Sequence, residues 1–346
     1  MDEISIIGIG VISNLGNDVE TIWEKLMQEG ETLNSGDEIL FESGLSLSQR
    51  KKANRYSEMG FYVSKMALKD SKINVDNIDK KRVGTVYTTG YGPIVSSLKF
   101  SESVVEGDYE FCSPTIFANT VNNTCVGHIC MLLGLKGVST VLMGSNNLTY
   151  SQILMNKEHT DYILTGAIEE YCKELHDTFQ VHENSKNIFI KEGAVSLLVK
   201  NKDDSGLAYC NIVDGFECNI DKYPITDRVE GNKVRGKIKQ LISEAVKQYD
   251  IDVFFSSCNN SYFDCVELEA AQEVLNKDTL YVNHVKNLFG ETLGAAFNMN
   301  VMVAALCIKN SRLPLKLDSL QRKVNCALVS GYDISGNYML AVLKSA

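Results

Sequence analysis

Apolar and polar positions along the chain form two alternating patterns, which predict strands and helices in turn. Short runs rich in β-branched residues are typical of buried strands, and apolar residues recurring every three or four positions are typical of helices. Strands are predicted at residues 4–9, 83–88, 140–143, 162–164 and 194–199, and helices at residues 21–27, 57–70, 126–133 and 148–155. Because strands alternate with helices, we expect an α/β fold with a buried, largely parallel sheet.

The second half of the chain repeats the pattern of the first, in residue type more than in identity. The matching segments are, in pairs, 82–88 with 252–257, 162–166 with 326–331, and 194–199 with 338–343. A polar stretch at residues 201–206 separates the two sets. We therefore predict an N-terminal half, residues 1–205, and a C-terminal half, residues 206–346, packed as one compact unit.

Charge and hydropathy narrow the classes of partner. The 346-residue chain carries a formal net charge of −10, whereas nucleic-acid and anionic-membrane surfaces need clustered Lys and Arg. The longest apolar run, residues 301–308, is too short to span a bilayer, and the first residues lack the basic region of a signal peptide. We expect a cytoplasmic protein with neither a nucleic-acid nor a membrane partner.

The ten cysteines do not have the spacing of a disulfide or metal framework. The sequence has no Cys-x-x-Cys, and the five histidines form no ligand pattern with the cysteines. Cys125, Cys130, Cys265 and Cys307 lie in apolar helical patterns, where a free cysteine behaves as a small buried hydrophobe. We expect a reducing compartment, no metal and no cofactor.

A dinucleotide site is one alternative, because Gly8 and Gly10 follow a strand and precede a helix. The third glycine of Gly-x-Gly-x-x-Gly is replaced by Ser13, and no strand with a terminal acid follows at the required distance. A tight turn that passes close to another element is the favoured interpretation of the two glycines.

Several separate segments resemble β-ketoacyl synthases. Residues 136–148 are similar to Gly-Pro-Ser-x-Thr-Val-x-Thr-Ala-Cys-Ala-Ser-Gly, residues 161–170 to Asp-x-x-x-x-Gly-Gly-x-Glu, and residues 285–296 to Lys-x-x-x-Gly-His-Thr-x-Gly-Ala-Ala. The resemblance covers nearly the whole chain. It implies a thiolase-like fold, in which two pseudo-repeated halves pack as five alternating layers (αβαβα) with the site between them.

The catalytic positions of that family are altered in this chain. The resemblance places Ser145 on the nucleophilic cysteine and Glu291 on the second histidine. Ser256 falls on the first histidine, because Asp264 and Glu267 keep the end of its motif. The family lysine is present as Lys286, whereas Asn300 replaces a glutamate and residues 331–337 replace the Gly-Phe-Gly-Gly gate.

These replacements are incompatible with condensation. The reaction needs a thiolate, and a serine hydroxyl is too weak an acid to ionise without a base within hydrogen-bonding distance. Decarboxylation needs neutral hydrogen-bond donors that stabilise the negative charge developing on the enolate oxygen. A carboxylate at Glu291 would repel that charge. None of the degenerate positions is therefore expected to be catalytically active.

Each position also has a structural interpretation. Ser145 fits a helix N-cap and Ser256 a strand-end hydroxyl. Glu291 needs a partner if it is buried, and Lys286 is the nearest candidate in sequence. Asp264 and Glu267 fit an exposed first helical turn.

The resemblance implies a function within the family. In type II polyketide systems a ketosynthase-like subunit without the cysteine, the chain length factor, pairs with an active ketosynthase and shapes the tunnel for the growing polyketide. The implied partners are an active ketosynthase and an acyl carrier protein, in aromatic polyketide or aryl polyene biosynthesis. An apolar stretch at residues 126–143 would face the partner subunit. The candidate tunnel residues are Phe117, Met143, Phe289 and Phe297.

Two other functions remain open from the sequence. Ser145, assisted by Glu291, could transfer or hydrolyse an acyl group from an acyl carrier protein thioester. Alternatively, the chain could be a homodimeric scaffold.

Overall fold

The computed structural model describes residues 2–28, 38–107, 112–144, 146–157, 160–186, 188–202, 206–229 and 231–346. Within these residues the chain forms ten strands and twelve α-helices. The strands are β1 Ile4–Ile12, β2 Val83–Thr89, β3 Ser139–Met143, β4 Tyr162–Glu169, β5 Gly193–Asn201, β6 Cys210–Asn219, β7 Val253–Phe255, β8 Leu280–Val282, β9 Cys326–Tyr332 and β10 Asn337–Lys344. The helices are α1 Val19–Leu26, α2 Leu47–Arg50, α3 Arg55–Asp70, α4 Ile94–Val105, α5 Pro114–Ala118, α6 Thr124–Leu133, α7 Asn147–Lys157, α8 Lys173–Gln180, α9 Asn232–Val246, α10 Phe263–Gln272, α11 Val285–Phe289 and α12 Ala296–Lys309.

The sheet is mixed, and the prediction of a largely parallel sheet is wrong. β2 is parallel to β3 and β4, and β7 is parallel to β8 and β9. The strands between these two groups, β5, β1, β6 and β10, pair in antiparallel fashion. The alternation of strands and helices does not reveal direction here, because β4 and β5 are antiparallel neighbours although α8 lies between them in sequence.

The strand order of one half repeats in the other. The order in the sheet is β3-β2-β4-β5-β1 followed by β6-β10-β9-β7-β8, so that β2 corresponds to β7, β4 to β9 and β5 to β10. The halves meet where Ile4, Ser5 and Ile6 of β1 pair with β6. The predicted boundary at residue 205 falls between β5 and β6.

Three apolar clusters define the layers. One cluster lies between α3, α6 and the first group of strands and includes Met59, Val63 and Cys125. A second lies under α9 and α10 on the second group and includes Ile238 and Phe263. The largest cluster surrounds α7 and α12, which contact strands of both halves. The succession helix, strand, helix, strand, helix confirms the five-layer thiolase-like fold.

The central position of α12 explains its composition. Every residue from 296 to 308 is buried, which is why this helix is apolar on all sides apart from Asn298 and Asn300 and carries the longest apolar run in the sequence. Within the described residues, no helix combines the length and apolar character that a membrane crossing requires.

Gly8 and Gly10 lie inside β1 and not in a turn. A Cβ on Gly8 would lie 2.2 Å from the carbonyl oxygen of Ala67, and one on Gly10 would lie 1.9 Å from that of Val63. The prediction of close approach is therefore correct, but the element approached is α3, which packs on the strand backbone.

None of the ten cysteines forms a disulfide within the described residues, and the burial of two of them differs from the expectation. Cys125 and Cys307 are buried, whereas Cys130 is half-buried and Cys265 is exposed. Cys265 lies opposite the buried face of α10, which Phe263, Glu267, Ala270 and Ala271 form at helical spacing.

Candidate functional site

Glu291 and Lys286 form a buried ion pair, and Glu291 is the residue that the sequence resemblance matches to the family's second histidine. Lys286 lies in α11, and Gly290, with φ of 81°, ends the helix and turns the chain so that Glu291 points inward. The Lys286 Nζ lies 2.7 Å from the Glu291 Oε2, and both side chains are almost fully buried. The partner expected from the sequence is therefore in contact with the carboxylate.

Both carboxylate oxygens of Glu291 already accept hydrogen bonds. The Tyr332 hydroxyl donates to Oε2 at 3.1 Å, and the Leu293 amide donates to Oε1 at 2.8 Å. The Lys286 Nζ also donates to the Tyr332 hydroxyl at 3.0 Å. Asn259 contacts the Tyr332 hydroxyl and donates to Glu291 Oε2 at 3.4 Å. A carboxylate with this set of donors is held in place as an acceptor and is not free to act as a base.

Burial next to Glu291 raises the pKa of the Tyr332 phenol well above its ordinary value, and desolvation is the main cause. The phenol is therefore neutral and can donate its proton to the carboxylate.

Ser256 lies at the end of β7, and its hydroxyl donates to Glu267 Oε2 at 2.5 Å. Asn300, on α12, donates to the Ser256 carbonyl oxygen at 3.1 Å. Among the described residues, the hydrogen bonds of these two side chains go to other groups and not to Glu291. From this loop Asn259 reaches Glu291 instead, so the structure brings together Lys286, Glu291 and Asn259 and keeps Ser256 apart.

The prediction that Glu267 lies in an exposed first turn is wrong. Its side chain is fully buried and accepts hydrogen bonds from Ser257, Ser330 and Tyr338, at 2.9, 2.6 and 2.7 Å, as well as from Ser256. The spacing of the apolar residues on α10 places position 267 on the buried face, which is a signal the sequence already contains.

Asp264 has a structural role that the sequence interpretation missed. It accepts hydrogen bonds from the backbone amides of Asn259 and Asn260 at 3.0 and 2.8 Å, and burial raises the pKa of its carboxyl. The loop that carries Asn259 is therefore held by the start of α10.

Ser145 lies outside the described residues, but its neighbours show which residue caps α7. The helix begins at Asn147, and the Asn146 Oδ1 accepts a hydrogen bond from the Thr149 amide at 3.2 Å. The N-cap predicted for Ser145 is therefore Asn146, one residue later, because the residue immediately before the helix provides the cap. Gly144 precedes Ser145 with φ of 73° and is buried.

Two cavities lie near Tyr332: it lines the smaller one, which we call the inner chamber, and its hydroxyl contacts three residues that line the larger one, the outer pocket. The inner chamber has a volume of about 10 Å³ and is lined by Thr88, Gly144, Phe297 and Asp333 among others. The outer pocket has a volume of about 280 Å³, and its lining includes Phe189, Lys191, Asn259, Lys286 and Glu291. A volume near 10 Å³ holds about one water molecule, so the inner chamber has no room for an acyl chain.

The four candidate tunnel residues occupy different environments. Phe297 is 4% exposed and lines the inner chamber, and Phe289 is 1% exposed and belongs to the central cluster. Phe117 and Met143 are 59% and 47% exposed. The exposed pair therefore lies on the surface, and the buried pair packs in the interior.

Phe117 and Met143 are part of an apolar face beside the edge strand β3. Val121 and Met131 are exposed on the same stretch of chain, at 51% and 66%. β3 stands at the end of the sheet and pairs with β2 alone among the described strands. We call Phe117, Val121, Met131 and Met143 the β3 face. An edge strand flanked by exposed apolar side chains is typical of an interaction surface.

Two further carboxylates at the end of β4 belong to the matched segment 161–170. Glu169 accepts hydrogen bonds from the amides of Gly90, Tyr91 and Gly294, at 2.7, 2.9 and 3.1 Å. Desolvation raises the pKa of Glu169 to about 8 and that of Glu170 to about 7. Glu169 therefore ties the end of β2 to the turn before α12. Across the described residues, no group of three or more His, Cys, Asp or Glu side chains is placed to hold a metal ion.

Comparison with known proteins identifies the family that this chain resembles. Residues 37–145 match the model of the β-ketoacyl synthase N-terminal domain. The chain is 18% identical to 3-oxoacyl-[acyl-carrier-protein] synthase 2 of Staphylococcus aureus strain N315, over 94% of this chain and 90% of the relative. It is 23% identical to the chloroplastic 3-oxoacyl-[acyl-carrier-protein] synthase I of Arabidopsis thaliana, over 90% of this chain and 76% of the relative.

Solved structures of similar fold include the ishigamide ketosynthase/chain length factor, with a TM-score of 0.80 and 17% identity over 100% of this chain and 99% of that one. A type II polyketide synthase acyl-carrier protein in complex with its ketosynthase matches with a TM-score of 0.76 and 16% identity, over 100% of both chains. The resemblance to ketosynthases is thus confirmed, and the fold is theirs.

Proposed function

We propose that this chain is a non-catalytic, ketosynthase-like subunit that pairs with an active ketosynthase and shapes the space in which a polyketide grows. In this role it corresponds to a chain length factor, and an acyl carrier protein delivers substrate to the pair. The observation that carries the proposal is the Lys286–Glu291 ion pair at the position of the second histidine.

The ion pair bears directly on the chemistry. A ketosynthase needs hydrogen-bond donors that stabilise a developing enolate, because this stabilisation lowers the barrier to decarboxylation. Glu291 accepts hydrogen bonds from Lys286, Tyr332 and Leu293 and has none to donate while ionised. The small volume of the inner chamber also supports the proposal that this subunit does not itself bind an acyl group.

The β3 face supports the pairing. Its four side chains are between 47% and 66% exposed, and β3, which pairs with β2 alone among the described strands, offers the backbone groups of its other edge to a further strand. The likeness to the ishigamide ketosynthase/chain length factor supports a ketosynthase as the partner.

The first test concerns chemistry. The purified chain is incubated with malonyl- and acyl-carrier-protein thioesters and followed by intact-protein and peptide mass spectrometry. We expect neither an acyl adduct on the chain nor loss of CO2 from the malonyl thioester. An acyl group on the peptide containing Ser145 would instead support an acyltransferase or hydrolase.

The second test concerns assembly. The chain is coexpressed with an active ketosynthase from the same organism and examined by sedimentation velocity, where a 1:1 complex is expected. Met131→Glu places a charge on the β3 face and is expected to abolish the complex without unfolding the chain. Val181→Glu is the matched control, because Val181 is 81% exposed and lies outside the β3 face. A chain that stays monomeric beside the ketosynthase would contradict the proposal.

A further inference from the structure

A third cavity lies between β1, α1 and α3, and we call it the α3 pocket. Its volume is about 490 Å³, which is within the usual range for small-molecule sites. The apolar part of its lining is Ile9, Val19, Tyr62 and Met66, and the rest comprises three carboxylates, two lysines and one asparagine. None of these residues lines the inner chamber or the outer pocket. The α3 pocket is therefore separate from the site described above.

Asp70 lines this pocket at an unfavourable position for a carboxylate. It is the last residue of α3, where the helix dipole opposes a negative charge. The side chain is also half-buried, and desolvation raises the pKa of the Asp70 carboxyl above its ordinary value. A carboxylate in this place needs hydrogen-bond donors to offset both costs.

The donors that Asp70 finds in the chain all use one of its two oxygens. The Ile9 amide and the Tyr209 hydroxyl donate to Oδ2, at 2.8 and 2.9 Å. No donor to Oδ1 is present among the residues that the structure describes. The carboxylate thus keeps one oxygen that can accept a hydrogen bond from a ligand.

A second acceptor at the pocket also lacks a donor. The Asn17 Nδ2 donates to the Leu40 carbonyl oxygen at 2.8 Å, whereas its Oδ1 is buried and has no partner in the described part of the chain. The Tyr62 hydroxyl donates to the Asn17 carbonyl oxygen at 3.4 Å, so an aromatic ring lies beside this residue. A buried acceptor without a donor costs free energy, which a ligand that donates a hydrogen bond would recover.

The other charged side chains at the pocket have structural explanations. Asp18 is the N-cap of α1, and Glu20 lies in the first turn of that helix, where a negative charge suits the dipole. Lys69 lies in the last turn of α3, where a positive charge is favourable, and Lys72 is exposed just after it. Asp70 differs from all four, because the dipole of its own helix opposes its charge.

We propose that the α3 pocket binds a primary alkylammonium ion, with the ammonium group at Asp70 and Asn17. An ammonium group has three donors and no acceptor, which matches two oxygens that lack donors. The alkyl stem would pack on Val19, Tyr62 and Met66, and an aromatic face also attracts a cation. The net charge of −10 favours the approach of a cation to this chain. The inference goes beyond the proposed function and does not depend on it, because the pocket lies within one chain.

Methyl NMR of labelled methionines tests the site directly. Met66 lines the pocket, and Met66→Leu assigns its resonance. On titration with pentylammonium chloride we expect the Met66 resonance to shift until it saturates, while that of Met131, on the β3 face, stays in place. Pentanol is the matched probe, because it keeps the stem without the charge, and we expect it to leave Met66 unmoved.

A free amine and a lysine side chain of another protein share this chemistry, so a third probe separates them. Nα-acetyl-lysine methylamide carries the same ammonium group on a peptide-like backbone. Binding of pentylammonium alone assigns the pocket to free amines. Equal binding of the lysine derivative extends the same site to a side chain on a protein surface.

Two variants test the role of the carboxylate and of the cavity. Asp70→Asn keeps an acceptor for Ile9 and removes the charge, and it should weaken pentylammonium binding roughly tenfold or more, as expected for loss of a charge-assisted hydrogen bond. Glu269→Gln is the matched control, since it removes one exposed carboxylate on α10, and its affinity should be unchanged. Val19→Trp fills the pocket without changing its charge and should abolish the Met66 shift.

The outcomes that would overturn the inference are separate from those that bear on pairing. They are an unmoved Met66 resonance in the unmodified chain, an equal shift with pentanol, and unchanged affinity in folded Asp70→Asn. If Asp70→Asn does not fold, undiminished binding by Val19→Trp is the result that would contradict the site. None of these measurements needs a ketosynthase, so failure here leaves the proposed function standing.

Discussion

The carboxylate of Asp333 packs directly on the backbone of Gly144. A Cβ built on Gly144 would lie 2.6 Å from the Asp333 Cγ, closer than any van der Waals contact. The two residues come from different halves of the chain, and both line the inner chamber. Only glycine fits here, because φ of 73° is also unfavourable for other residues.

Gly144→Ala is therefore expected to destabilise the chain. The left-handed backbone alone costs roughly 1–2 kcal/mol for a residue with a Cβ, and displacement of Asp333 adds to this. Gly236→Ala is the control, because Gly236 lies in α9 with no atom within 4 Å of the added methyl. The control should raise stability by about 0.5–1 kcal/mol. Urea unfolding measures the change in the free energy of unfolding for both variants, which should be a loss for Gly144→Ala and a gain for Gly236→Ala. An unchanged free energy for Gly144→Ala would mean that Asp333 moves freely.

Asn146→Ala and Ser145→Ala are expected to differ. Asn146 caps α7 and its Nδ2 also donates to the Leu340 carbonyl oxygen at 3.3 Å, so its loss should cost about 0.5–2 kcal/mol or more. Ser145→Ala should leave both stability and product formation by the assembled pair nearly intact. Thermal unfolding and a product assay distinguish the two variants. A hundredfold loss of turnover in Ser145→Ala, with the complex assembled, would point to an acyl-enzyme.

Alanine variants at the four candidate tunnel residues should fall into two groups. Phe289→Ala and Phe297→Ala remove buried rings and are expected to cost about 3–5 kcal/mol of stability. Phe117→Ala and Met143→Ala remove exposed side chains and should preserve folding. If these two residues face the polyketide in the assembled pair, their variants change product length, which mass spectrometry measures. Wild-type product from every folded variant would exclude a measuring role.

Stability should depend on pH through the two carboxyls at the end of β4. Desolvation raises the folded-state pKa of Glu169 to about 8 and of Glu170 to about 7, from an ordinary value of 4.5. The folded state thus holds protons that the unfolded state has lost, so this stabilisation is complete below pH 4.5 and is lost as the pH rises to about 8.

Urea unfolding between pH 5 and pH 8.5 checks that dependence. Glu170→Gln removes one of the two groups and should flatten the profile relative to the unmodified chain. Glu3→Gln is a suitable control, since Glu3 lies near the surface and pairs with Lys202. A Glu170→Gln profile parallel to the unmodified one would show that this carboxyl does not titrate in the range.

Strand positions are predictable from this sequence because their cores are continuous β-branched and apolar runs. β1, β2 and β5 are buried along most of their length, so the runs are long and unbroken. Strand direction is not predictable in the same way, since pairing is decided by partners far away in sequence. β1 pairs with β5 and β6, which begin almost two hundred residues later.

In the site, too, some contacts can be predicted from the sequence and others cannot. The contact of Lys286 with Glu291 is predictable, because a buried carboxylate needs a cation and the two residues are five apart. The contact of Asn259 with Tyr332 is not, because 73 residues separate them and only the packing of the second half brings them together. Cys265 and Glu267 illustrate a third case, in which one helical register decides which side chain is buried.

The two ends of the sheet differ in what they can accept. β3 offers five residues, Ser-Thr-Val-Leu-Met, without a charge, whereas β8 at the other end is three residues long and follows Lys277 and Asp278. Charged flanks and short length discourage strand addition. A partner chain could thus extend the sheet by adding a strand at β3, whereas the β8 end of this chain would not accept a second one. A pair formed through β3, as proposed, would therefore be finite and would not polymerise into a fibre.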